Sequence, residues 1–241
     1  MRPFDPPQGE KHQAVATPGD LFFHVRSGEQ GVSFELTRQL MLAFGEAATV
    51  ESEVNGFRYW DSRDLLGFVD GTENPTVPAV VEHTVFVGAD DIYAGASYVV
   101  IQKYLHDLTA WESLPTEEQE RVIGRRKLSD IQLSDEALPS NSHVALNTIQ
   151  DENGVEHQIL RDNLPFGSVS SGELGTFFIG YAADPRTTEL MLERMFIGHP
   201  PGNYDRILGF STATTGCLFF VPPAAFLDDP TPFLTAARAA P

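Results

Sequence analysis

Cysteine is nearly absent from this chain: Cys217 is the only one in 241 residues. An intrachain disulfide, a thiolate metal cluster and a CxxCH attachment motif are thereby excluded. Long apolar runs are missing too. No stretch approaches the roughly 18 to 20 residues that cross a bilayer, and the N-terminus shows no basic segment followed by an apolar one. A cytoplasmic protein with no membrane partner is expected. Basic residues are scarce, with 16 Lys and Arg against 34 Asp and Glu, and the net charge of -18 repels a phosphate backbone over much of the surface. A nucleic-acid partner is therefore not expected, whereas neutral or cationic small substrates are tolerated. HExxH, GxSxG and glycine-rich phosphate loops are also absent.

What is present is a core former. Hydrophobic residues make up 41% of the chain and Phe occurs 17 times, enough to bury a substantial interior. After an irregular lead-in of 20 residues, residues 20–27 alternate as a strand does, and Ser33 to Gly45 reads as a helix with apolar Leu36, Leu40 and Phe44. Strands are predicted over 97–106, 157–162, 172–182 and 216–221. A capping box at Thr116 and Gln119 opens a helix that ends near Gly124. Asp184-Pro185 starts another, with Thr188, Met191, Leu192 and Met195 inward. Strands and helices interleave as in an α+β fold, with no linker dividing the chain.

Four pieces carry candidate chemistry. Gly67-Phe68-Val69-Asp70-Gly71-Thr72-Glu73-Asn74-Pro75 sets an acid between glycines, where the backbone can turn tightly and present the Asp70 carboxylate to a cavity. An ordinary surface turn reads the same way. His143, in Ser142-His143-Val144, is a possible iron ligand or simply one of seven histidines. Arg161-Asp162-Asn163 ends a strand with a fixed cation and an amide, or with a solvated ion pair. Asp205 either orients a ligand histidine or bridges to Arg206. An Asp70-dependent hydrolase is a remote alternative, because Phe68 stands where the partner carboxylate would be.

Taken with Gln102-Lys103-Tyr104-Leu105-His106-Asp107-Leu108 and Ile123-Gly124-Arg125, these segments resemble the bacterial B-type branch of the dye-decolourising peroxidases, from about His12 to about Asp229. The resemblance implies two related ferredoxin-like units with antiparallel sheets and peripheral helices. The first, residues 1–66, is expected to be incomplete, because the chain starts in mid-domain; residues 67–241 would hold the motif loop and the cofactor unit. It implies one noncovalent haem b per chain, with His143 as iron ligand and Asp205 as its orienting partner. Asp70, Arg161 and Asn163 would line the peroxide side, Phe166 would shape it, and Arg125 would meet a haem propionate.

The implied activity is oxidation of dyes, phenols or other small reductants by hydrogen peroxide through a high-valent iron-oxo species. The alternative is a haem-handling protein with incidental peroxidation. Homo-oligomerisation is expected, and a nanocompartment cargo role is not, given the short C-terminus. Trp60, Trp111, Tyr59 and Tyr104 could carry electrons, but core packing is the expected role of each. A carboxylate relay, titrating near 3.9 in its ordinary state, predicts activity that persists into acid, unlike a histidine base near 6.5.

Overall fold

The computed structural model describes residues 4–77, 79–86 and 92–239. Its helices are α1 Gln30–Phe44, α2 Ala79–Thr84, α3 Leu108–Glu112, α4 Thr116–Ile123, α5 His143–Asn147, α6 Pro185–Phe196, α7 Ala224–Asp228 and α8 Thr231–Ala239. Its strands are β1 Ser97–His106, β2 Ile149–Gln150, β3 Glu156–His157, β4 Leu160–Arg161, β5 Leu164–Ser168, β6 Glu173–Ala182, β7 Ser211–Ala213 and β8 Cys217–Val221.

The chain divides into two compact units, one of residues 18–54 and one of the residues before and after them. In the smaller unit, α1 runs as expected to Gly45, whose φ of 53° suits a helix end that most side chains resist. It starts at Gln30 rather than at Ser33, and none of its residues is buried. The strand expected over residues 20–27 does not form. Alternation alone cannot make a strand, because a strand also needs a neighbouring strand in register.

The larger unit is built on one six-stranded antiparallel sheet. β6 and β1 form its centre, with Tyr98 opposite Ala182 and Tyr104 opposite Thr176. β4 and β5 pair with β6, and β7 and β8 with β1. This is the ferredoxin-like α+β arrangement. α6 packs against β1 and β6, with Asp184 capping its N-terminus and Thr188, Met191, Leu192, Met195 and Phe196 buried. Phe4 and Ala14 from the irregular lead-in complete that core beside Val100, Tyr104 and Leu218. β5 runs through a proline. Pro165 is tolerated there because an edge strand can spare one amide, and its carbonyl accepts instead from the Phe57 amide at 2.9 Å. The capping box does not form either: Pro115 precedes the first turn of α4, and the Gln119 amide donates to the Trp111 and Leu114 carbonyls.

A second core of Leu66, Phe68, Trp111, Val122 and Ile123 anchors the loop before Asp70. Trp111 is buried as expected, with its indole N–H donating to the Leu66 carbonyl at 2.9 Å and its ring edge-on to Phe68. Tyr104 is buried as well. Trp60 is the exception, 78% exposed and stacked on Tyr59 at 5.3 Å. Replacing Trp111 with Ala removes a large buried ring and one hydrogen bond, and is expected to cost about 3–5 kcal/mol. Denaturant unfolding of the two proteins checks this, and a loss under about 1 kcal/mol would mean that the second core does not carry the loop.

Candidate functional site

The Asp70 loop begins as a tight hairpin. Arg63 bridges to Val69, the Asp64 amide donates to the Phe68 carbonyl at 2.9 Å, and the Asp70 amide donates to the Ser62 carbonyl at 3.0 Å. Phe68 plugs into the Trp111 core on one side. Gly71 then takes φ 85°, a turn that a side chain would strain, and the Asp70 carboxylate is left lining a cavity. The reading of an acid presented by a glycine turn is thus the one the loop adopts.

Two amides lock this loop to the sheet. Asn163 donates to Asp70 Oδ1 at 3.4 Å while its own carbonyl oxygen accepts from the Ile179 amide at 3.0 Å. Asn74 donates to the Arg161 carbonyl and accepts from the Arg161 amide, both at 2.8 Å. An asparagine side chain here imitates a strand partner, which fixes the backbone of Arg161. The Arg161 side chain lines the same cavity and has no carboxylate partner among the described residues. The motif itself does not disclose this role of Asn74, since its partner lies 87 residues away.

The same cavity is lined by His143, the first residue of α5, whose N-terminus is capped by the buried Ser142 hydroxyl. Its Nδ1 lies 2.7 Å from Asp205 Oδ2, and Asp205 is wholly buried. The other Asp205 oxygen accepts from the Ile207 amide at 3.0 Å. Arg206 pairs with Glu118 instead, so the alternative ion pair between Asp205 and Arg206 does not form. A buried carboxylate favours the imidazole proton on Nδ1. Nε2, which has no hydrogen-bond partner among the described residues, then keeps a lone pair for a metal.

Arg125 lines the cavity and is held by Glu73 and, at 3.4 Å, by Asp130. Phe166 does not line it. Strand alternation gives the reason: Phe166 pairs with Gly175, whereas the cavity face of β6 carries Thr176 and Phe178, one residue out of phase. Phe166 lies instead beneath the Lys103 ammonium, 5.0 Å from the ring centre. Unforeseen members of the wall are His106, Thr176 and Ser211. Thr176 Oγ1 lies 2.9 Å from His106 Nε2, the Ser211 hydroxyl 2.8 Å from Nδ1, and burial lowers the imidazole pKa to about 4. Their signal was a polar residue on the inner face of a strand, a pattern too common to single out.

The cavity holds about 1410 Å³ of atom-free space with its mouth included. Ile123, Val144, Phe178, Met191, Leu192 and Ile207 give it apolar walls. No group of three or more His, Cys, Asp or Glu that could hold a metal ion occurs among the described residues. A single imidazole with an open nitrogen, apolar walls and an unpaired guanidinium suits a metal that brings its own planar ligand. The residues present therefore fit a haem.

Comparison with known proteins agrees. The family model for the C-terminal part of Dyp-type peroxidases matches residues 61–226, and that for the N-terminal part matches residues 1–58. The dye-decolorizing peroxidase of Mycobacterium tuberculosis is 55% identical over 237 residues, 98% of this chain and 71% of that protein. A variant of DypB from Rhodococcus jostii RHA1, solved in complex with heme, superposes with a TM-score of 0.93 at 59% identity, covering 95% of this chain and 74% of that one. The encapsulated DyP-type peroxidase from Mycobacterium smegmatis gives 0.93 at 56% identity with the same coverage. With matched segments running almost end to end and more than half of the aligned residues identical, the chain belongs to the DyP-type peroxidase family.

Proposed function

We propose that this chain binds one haem b noncovalently and uses hydrogen peroxide to oxidise dyes, phenols and other small reductants. The observation that carries the reading is the convergence on one cavity of a carboxylate-backed imidazole, an acid, an amide and a cation with no carboxylate partner among the described residues. Bound haem supplies the redox centre that accepts oxidising equivalents from peroxide and passes them to reductants.

The chain's own groups do the rest. His143 offers Nε2 as the iron ligand, and Asp205, by accepting from Nδ1, makes that nitrogen a stronger donor. Asp70 takes a proton from one peroxide oxygen and returns it to the other, which leaves as water. Arg161 places a permanent positive charge where negative charge develops as the O–O bond breaks. Asn163 holds Asp70 Oδ1 and fixes the direction in which the acid faces. Arg125 is positioned to meet a propionate by exchanging one of its carboxylate partners.

The same proposal keeps the division at residues 1–66 and 67–241, supported by family segments that meet between residues 58 and 61. It includes self-association and a cytoplasmic setting, the latter supported by the lone cysteine. Among the described residues no helix is long and apolar enough to cross a membrane.

Replacing His143 with Ala should abolish the intense Soret absorbance of haem-supplemented protein; full retention of that spectrum would remove His143 as the ligand. Replacing Asp70 or Arg161 with Ala should slow the reaction with peroxide by about 100 to 1000-fold in stopped-flow absorbance. Replacing Asn74 with Ala frees the Arg161 backbone and should slow the same step by about 10 to 100-fold, with haem content unchanged. A normal rate in the Asn74 variant would show that Arg161 is placed by other contacts.

A further inference from the structure

Asp64 also lines this cavity. Asp64 lies on the same hairpin as Asp70. The Arg63–Val69 bridge sets the register, so that Asp64 is opposite Phe68 and Asp70 is opposite Ser62. Residues two apart on paired strands share a face, and such diagonal neighbours lie about 7–8 Å apart. Both side chains accordingly line one cavity.

The surroundings of Asp64 disfavour charge. Its exposed surface opens onto the cavity, and protein encloses the remainder. Oδ1 accepts from the Phe68 amide at 3.0 Å. The neighbouring cations are committed elsewhere. Arg63 donates to the Gly67, Lys127 and Leu128 carbonyls, and the Lys127 ammonium donates to Gln119 Oε1 at 2.6 Å while lying 5.6 Å from the Phe68 ring centre. Among the described residues neither forms a salt bridge with Asp64, although the Lys127 ammonium feels the charges of both Asp64 and Glu112. Burial pushes the Asp64 carboxyl up to about 7, opposed by the Phe68 amide and reinforced by the charge of Asp70.

Reduction of hydrogen peroxide to two waters takes two electrons and two protons. The peroxide's own protons leave with the first water, so the second water draws both of its protons from elsewhere. Two carboxyls on one surface can divide the tasks of acid and base. We propose that Asp64 is the proton store behind Asp70. It carries a proton at rest, passes it from its carboxyl oxygen to the Asp70 carboxylate, and is refilled from solvent. No electron moves in this step. Asp64 acts through Asp70 and is a positioning residue; the inference rests on Asp70 being the peroxide relay.

Asp64→Asn keeps a carbonyl oxygen for the Phe68 amide but cannot carry the proton. The first test needs no turnover. A carboxyl whose pKa is higher folded than unfolded holds its proton better in the folded state, so stability falls as pH rises from the unfolded value towards the folded one. The melting temperature of haem-loaded Asp64→Asn should match the wild type near pH 4 and exceed it increasingly up to about pH 8. In the wild type, infrared spectra should show a protonated-carboxyl band that disappears as pH rises through about 7, and the Asn variant should lack it.

In turnover, the reductant-dependent phase of the wild type should slow as pH rises through about 7. Asp64→Asn should lose that inflection and run at least about 10-fold slower in mild acid, with partial recovery in Asp64→Glu. A melting difference that is flat with pH, a missing band or an unchanged pH profile overturns the proton store. If Asp70→Asn meanwhile still slows the peroxide reaction, the peroxidase reading survives. If Asp70→Asn reacts with peroxide as fast as the wild type, the relay falls first and the store with it.

Discussion

The buried Asp205 carboxylate beside the His143 ring is the constraint from which the site follows. A carboxyl group with no solvent exposure is costly unless it is hydrogen-bonded, and this one is satisfied by His143 Nδ1 and the Ile207 amide. Neither residue is free to move independently. The imidazole tautomer, its orientation and the start of the short helix before β7 are settled together. Ser142 sets the opposite end of the same linkage by capping α5, so that His143 enters the cavity from the first turn of a helix. An exposed histidine could coordinate a metal, but its ring would rotate and its proton would be shared between two nitrogens.

The wall around Asp70 and Arg161 is organised by amides rather than by charge. Asn74 replaces a missing strand neighbour for Arg161, and Asn163 joins the Asp70 carboxylate to the amide of Ile179 on β6. These neutral bonds position a carboxylate and a guanidinium without pairing them. Had Asp70 and Arg161 formed an ion pair, each would have neutralised the other and the cavity would have lost both its base and its free cation. Phe68 and Trp111 make this separation durable by anchoring the hairpin in a core of its own. Activity and stability therefore meet in nine consecutive residues, with Phe68 packed edge-on to Trp111 and Asp70 lining the cavity.

Local patterns in the chain were sufficient for much of this. β1 spans the residues that β propensity indicates, and α6 buries the four inward residues that its period selects. The glycine-framed acid, the His143 segment and the Arg161 to Asn163 segment could be named because each combines unusual residue types at short spacing. Other features were illegible for definite reasons. The segment over residues 20–27 alternates convincingly yet does not form a strand, and Thr116 with Gln119 satisfies a capping pattern while the Gln119 amide serves carbonyls from the preceding turn instead. Trp60 has the composition of a core residue and stands in solvent.

By itself, then, the order of residues determined which chemical groups were available: an acid able to turn, one committed histidine, a strand-end arginine and amide, and no second metal ligand set. Those are properties of covalent sequence and local propensity. Which of the groups face one another was decided only in three dimensions. The parity of β5 against β6 directs Phe166 away from the cavity, and the same sheet brings His106, Thr176 and Ser211 into it. The Asn74–Arg161 and His143–Asp205 contacts span 87 and 62 residues. Contacts at that separation depend on how strands register and helices pack, and no window of neighbouring residues encodes them.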